Sequence, residues 1–160
     1  MKQPIVDQQS TGKGAPLARY AATKRVGDFI FFSGVIAVDP KKRIIVQGFD
    51  DIPVEAANAI GRTGQFSADF KQQAILSQSW YVLDSIRQHI EQQGGQMSDV
   101  FKLVQYFKNL DHFPLFSQVR DQFFPDQPPI STIVEVSAML PSEDILIEVE
   151  ATAYLPLTSL

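Results

Sequence analysis

Three glutamates near the C-terminus are the side chains of this sequence best suited to moving protons. Glu148 and Glu150 stand two residues apart in an alternating run from Ile145 to Tyr154, so an extended chain points both to one face. In the preceding run, Thr132 to Ala138, alternation places Ser131, Ile133, Glu135 and Ser137 together, and the Pro141-Ser142-Glu143-Asp144 connection predicts that the two strands are neighbours. Clustered carboxylates repel one another. Repulsion raises a pKa and suits one member to general acid or base work near neutral pH. The plainer reading, polar residues on a half-exposed sheet, stays open beside it.

Other residues offer binding rather than proton transfer. Ser33 follows the bulky run Phe29-Ile30-Phe31-Phe32 and precedes Gly34. It is either a turn hydroxyl closing a strand or, with the backbone N–H exposed by Gly34, a hold on a ligand carbonyl or carboxylate. Arg19 beside Tyr20 could clamp a carboxylate in bidentate fashion, or be a surface arginine next to a packed tyrosine. His89 and His112 have no metal-ligand spacing and are expected to face solvent. Gly61-Arg62-Thr63-Gly64 has the flavour of an anion-binding nest but no GK[ST] signature follows it. Trp80 and Tyr81 read as packing or interface residues. With no cysteine, the sequence holds no disulfide, thiol nucleophile or Cys-ligated zinc site.

The 160 residues are 44% hydrophobic and 20% charged, which suits one globular domain. A formal charge of −4, with no basic run longer than Lys41-Lys42-Arg43, argues against nucleic acid as a partner. No apolar run reaches the ~18 residues of a membrane span. The N-terminus lacks the apolar stretch of a signal peptide, so the expectation is a soluble cytoplasmic protein without a membrane partner.

The elements that must position these groups follow from periodicity. Residues 1–15 are polar and read as a flexible arm, and 16–156 as the single domain. Ala21 to Arg25 and Phe29 to Phe32 flank Gly27-Asp28, a hairpin signal. Ile44 to Val46 suggests a short further strand. The segment 47–67, with Gly48, Pro53, Gly61 and Gly64, reads as an irregular excursion over the surface. Ile75, Leu76, Ser79, Val82, Leu83, Ile86 and Ile90 form the stripe of an amphipathic helix that Gly94-Gly95 stops. Val100 to Lys108 alternates as a strand. Asp111 and Pro114 open a second helix with Phe116, Val119 and Phe123 on its apolar seam. The order is ββαβαββ: an α+β mixed sheet with two helices on one face, whose other face meets water or another subunit.

Several of these segments together resemble the YjgF/RidA family: Pro16-Leu17-Ala18-Arg19-Tyr20, Gly27 to Gly34, Val134-Glu135-Val136 and Ile147 to Ala151. Leu83 to Ile86, Ser98-Asp99-Val100 and Phe123-Phe124-Pro125 fall in the family's order as well. The run from Pro16 to Gly34 is most similar to the 2-aminomuconate deaminase branch. The resemblance implies a chorismate-mutase-like fold, a homotrimer whose sheets form a central barrel, and a small-molecule ligand in clefts at the subunit interfaces. It also implies hydrolysis of reactive enamines and imines to keto compounds and ammonia, with no cofactor and no metal. By the same resemblance Glu148 positions the attacking water, Tyr20 lines the cleft, and Ser33 and Gly34 hold the ligand. One position departs. Deaminating members carry an arginine, gripping the substrate carboxylate, where this sequence has Ser131. Serine cannot form a bidentate ion pair, so the ligand lacks that carboxylate, or Arg19 or Arg62 replaces the clamp, or hydrolysis is lost. A non-catalytic metabolite-binding trimer is therefore the alternative, and an endoribonuclease or translation inhibitor, labels attached to the family, is a minor one.

Overall fold

In the computed structural model, which describes residues 18–158, the hairpin forms where Gly27 breaks two β-prone runs. Strand β1 (Thr23–Val26) pairs antiparallel with β2 (Phe29–Phe32). Gly27 has φ +59°, a left-handed conformation that a side chain would disfavour in so tight a turn. The arm expected over 1–15 lies outside the described residues. Three short strands follow: β3 (Val35–Ile36), β4 (Val38–Asp39) and β5 (Ile44–Ile45), the last two pairing as a separate ladder.

The segment 47–67 is not the irregular surface excursion expected of it. It carries a 3₁₀ turn (Phe49–Asp51) and helix α1 (Val54–Ala59), and helix α2 (Phe66–Asp69) straddles its end. Phe49, Ile52, Ala57 and Ile60 are buried in the core. These apolar residues are too sparse to show a helical period, and only the tertiary core reveals what they pack against. Within it, the Gly61–Gly64 nest does hold an anion, but the protein's own: the N–H and Oγ1 of Thr63 and the N–H of Gly64 donate to Asp69 at 2.9, 2.6 and 2.9 Å. Those bonds, led by the Thr63 hydroxyl, hold the Asp69 pKa below its ordinary value.

Helix α3 (Gln73–Gln92) buries its expected stripe. It ends in a Schellman motif, with Gly95 N–H donating to Ile90 O (2.9 Å), Gly94 N–H to Glu91 O (3.0 Å), and Gly94 at φ +84°. Strand β6 (Val100–Phe107), helix α4 (Phe113–Phe123), strand β7 (Ile130–Glu135) and strand β8 (Ile147–Tyr154) complete the chain. The capping oxygen before α4 comes from Asn109, which accepts from Asp111 N–H at 2.8 Å, rather than from Asp111 itself.

The main sheet runs β1-β2-β8-β6-β7, with β3 resuming the pairing of β2 along β8. All its neighbouring strands are antiparallel except β6 and β7, which are parallel and joined through α4. Consequently β7 and β8 are not neighbours, contrary to the sequence expectation. The link between them is a broad loop over 136–146, not a tight hairpin, and β6 occupies the space between.

Helices α3 and α4 cover one face. Ile147, Val149, Ala151 and Ala153 of β8 are buried there with Val82, Leu83, Ile86 and Ile90 of α3. Phe107 ties β6 to α4 through edge contacts with Phe113 and Phe116, at centroid distances of 6.2 and 5.6 Å. The opposite face is uncovered in the single chain, and Phe29 lies there against Tyr154, Phe101 and Phe31 at 5.3, 6.1 and 6.4 Å, all four rings exposed.

Candidate functional site

The alternation of β8 turns Glu148 and Glu150 onto the uncovered face, where both are half-buried. On β6, Tyr106 is registered opposite Glu148. Its hydroxyl crosses diagonally to donate to Glu150 Oε1 at 2.8 Å, within the reach of a diagonal cross-strand pair. On the other side of β8, Phe31 pairs with Thr152 but Val35 pairs with Val149, so the β2–β3 edge carries one extra residue. This irregularity falls at Ser33-Gly34. Such bulges re-aim side chains at functional sites, and here the bulge brings Gly34 against Glu148. A Cβ on Gly34 would stand 2.8 Å from Glu148 Cδ and 3.0 Å from Cγ. Glycine is required for the carboxylate to lie where it does.

These groups border a cavity of about 710 Å³. One wall is polar: Tyr20, Ser33, Tyr106, Glu148 and Glu150. The apolar lining comes mainly from the loop after β7, with Val136, Met139, Leu140 and Pro141. Burial raises the pKa of Glu148 above the ordinary carboxylate value, and the charge of Glu150 raises it further. The bond from Tyr106 to Glu150 raises the phenol's pKa, with burial and the charges of both glutamates adding to it. Ser33 spends both its donors locally, Oγ–H on Ala21 O (2.7 Å) and N–H on Ala22 O (2.9 Å). Its turn role is thus realised, and Ser33 also lines the cavity.

Other expected residues are elsewhere within one chain. Ser131 is on β7 opposite Leu103, on the helix-facing side of the sheet, and accepts from Gln105 Nε2 at 2.7 Å. Glu135 shares that side and accepts from Leu110 N–H at 3.0 Å, so it does not join the Glu148–Glu150 pair. Arg19 is exposed and absent from the cavity wall, although Ala18 and Tyr20 on either side of it contribute. Arg62 pairs with Asp50 at 3.5 Å.

His89, expected in solvent, is buried: its Nδ1 lies 2.8 Å from Ser85 O and its ring meets Phe32 edge-on. His112 is half-buried, and burial pushes its pKa down against the charge of Asp111. Tyr81 packs in the core and donates to Val38 O at 3.0 Å. Tyr106 and the Met139–Pro141 wall went unrecognised in the sequence. Period-two alternation shows which face Tyr106 occupies but not which strand lies opposite. Among the described residues no group of three or more His, Cys, Asp or Glu is arranged to hold a metal ion. No helix among them is long and apolar enough to cross a membrane.

The chain is similar to proteins of known fold and, at greater distance, of named activity. A solved structure from Klebsiella pneumoniae, described as that of a candidate endoribonuclease, is 61% identical with a TM-score of 0.84, over 86% of this chain and 100% of that one. A RutC family protein of Pyrococcus abyssi is 31% identical over 139 residues, 87% of this chain and 88% of its own length. The 3-aminoacrylate deaminase RutC of Acinetobacter baylyi is 23% identical over 143 residues, 89% of this chain and 92% of its own. The family model described as Endoribonuclease L-PSP matches residues 12–155, and the chain accordingly belongs to the YjgF/RidA family.

Proposed function

We propose that the protein is a homotrimer that binds a small imine or enamine in the cavity beside Glu148 and hydrolyses it to a carbonyl compound and ammonia. The observation that carries this reading is the Glu148 carboxylate: half-buried on the cavity wall, raised in pKa, and seated against a glycine that leaves room for it. An iminium carbon is already electrophilic, so the protein has to orient water and move protons. Glu148 takes a proton as the water oxygen bonds to carbon, then returns it to nitrogen as the C–N bond breaks. One iminium ion and one water give one carbonyl compound and one ammonium ion, so atoms and charge balance with no oxidant or reductant. The name of the Acinetobacter baylyi relative supports this class of reaction.

The exposed Phe29, Phe31, Phe101 and Tyr154 cluster supports a sheet face covered by neighbouring subunits. An RNA-cleaving role is less favoured, because two glutamates on the cavity wall and a net charge of −4 repel phosphate. The test is ammonia release from imines generated in situ, compared with spontaneous hydrolysis and with Glu148→Gln, alongside a solution mass measurement. Acceleration lost in the variant, from a trimer, is the expected result. No acceleration for any imine, with a ligand still raising Tm, would replace hydrolysis by simple binding.

A further inference from the structure

We propose that the cavity is built for the iminium of a primary amine that carries no carboxylate, a cationic N–H donor with an apolar chain. This rests on the hydrolase reading above and specifies its substrate. The polar wall is rich in acceptors, and two of its three hydroxyls, those of Ser33 and Tyr106, already donate within the protein. Ser33 gives its hydroxyl proton to Ala21 O, and Tyr106 gives its own to Glu150. Behind Ser33 and Gly34 a small recess is lined by His89, which is only 5% exposed. Its Nδ1 sits against the Ser85 carbonyl, and its Nε2 meets no partner among the described residues.

Charge points the same way. Glu148 and Glu150 both border the cavity, and none of the described lining residues is Lys, Arg or His. Ser131, Arg19 and Arg62 all lie off the wall within one chain. Within one subunit a carboxylate placed here faces two glutamates and no lining cation, whereas an iminium gains charge-assisted hydrogen bonds to both glutamates. In the same cavity, the apolar lining from Val136 and Met139–Pro141 receives an aliphatic or aromatic chain.

A matched pair of imines tests this on the full-length protein. A flavin amine oxidase converts 3-methylbutylamine to its imine, and a flavin L-amino acid oxidase converts leucine to an imine with the same side chain plus a carboxylate. Ammonia release is followed for both over spontaneous hydrolysis. The carboxylate-free imine should be hydrolysed with a kcat/KM roughly tenfold or more above that of its partner, the scale of one hydrogen bond to a charged group. Equal or faster hydrolysis of the carboxylated imine overturns the proposal and leaves the hydrolase reading intact.

If neither imine is turned over, the hydrolase reading falls and calorimetry decides the charge preference. Binding of 3-methylbutylammonium roughly tenfold tighter than 4-methylpentanoate, weakened in Glu150→Gln, sustains that preference. The reverse order, or no binding of the amine, overturns it.

Discussion

Replacing Gly34 by alanine tests whether the bulge sets the position of Glu148. The new Cβ would overlap Glu148 Oε1 and stand 2.8 Å from Cδ, so the carboxylate must retreat by about 1 Å or more to reach ordinary van der Waals separation. The backbone itself tolerates the change, since Gly34 is not among the positive-φ glycines. Restricting the unfolded chain then stabilises the fold by about 0.4–1 kcal/mol. Forcing Glu148 off its rotamer costs about 0.5–1.5 kcal/mol. The two nearly cancel, and at about 2–4 °C per kcal/mol for a chain of this size Tm should move by no more than about 4 °C. Activity should behave differently. A displacement near 1 Å of a group that must meet the reacting water is of the order that costs ~100-fold in rate, or about 2.7 kcal/mol of barrier. Ammonia release and thermal melting on the same preparation measure both quantities. Added to Glu148→Gln, which has already lost the carboxylate's function, Gly34→Ala should cost little further activity. Wild-type kcat/KM in Gly34→Ala, or a loss that merely tracks unfolding, would refute the reasoning.

Two further outcomes follow from the geometry around the cavity. The native state holds the Glu148 proton more tightly than the unfolded chain, so this residue erodes stability as pH rises from the ordinary carboxylate range through its raised pKa. Glu148→Gln should therefore melt above the wild type at pH 7.5, while inactive, and the difference should close as pH falls; a variant less stable at pH 7.5 and level in acid reverses the sign and sinks the assignment. Gln78, fully buried, donates to Val46 O (3.0 Å) and Asp144 O (2.7 Å) and accepts from Leu146 N–H (2.9 Å). Gln78→Leu orphans three backbone groups and should cost about 3 kcal/mol or more in urea unfolding. Because it frees the end of the 136–146 loop, it should also raise KM more than it lowers kcat, and unchanged kinetics in the folded variant would count against a role for that loop.

Much of the scaffold was legible in the sequence. The Ile75–Ile90 stripe, the Gly94-Gly95 stop, the Gly27 turn and the alternation of β8 are local signals, each set by residues within a few positions of one another. Chemistry confined to one element was equally legible: Glu148 and Glu150 share a face because a strand has period two. Pairing between elements was not. Placing β7 beside β8 was wrong because a parallel β6–β7 pair, made through α4, competes with the simple hairpin. That single topological choice separates Glu135 and Ser131 from the glutamates of β8. The buried position of His89, at the border of the α3 stripe, depended on Phe32 packing against it.

By itself the sequence determined the order of the principal elements β1, β2, α3, β6, α4, β7 and β8, the carboxylate pair, and the net charge that disfavours polyanions, because composition and short-range periodicity depend only on neighbouring residues. Only the tertiary structure decided that Tyr106 reaches Glu150, that a one-residue bulge presses Gly34 against Glu148, and that the 136–146 loop supplies an apolar wall. Each of these is a contact between residues many positions apart, and register, crossover and loop path become defined only when the whole sheet closes over its helices.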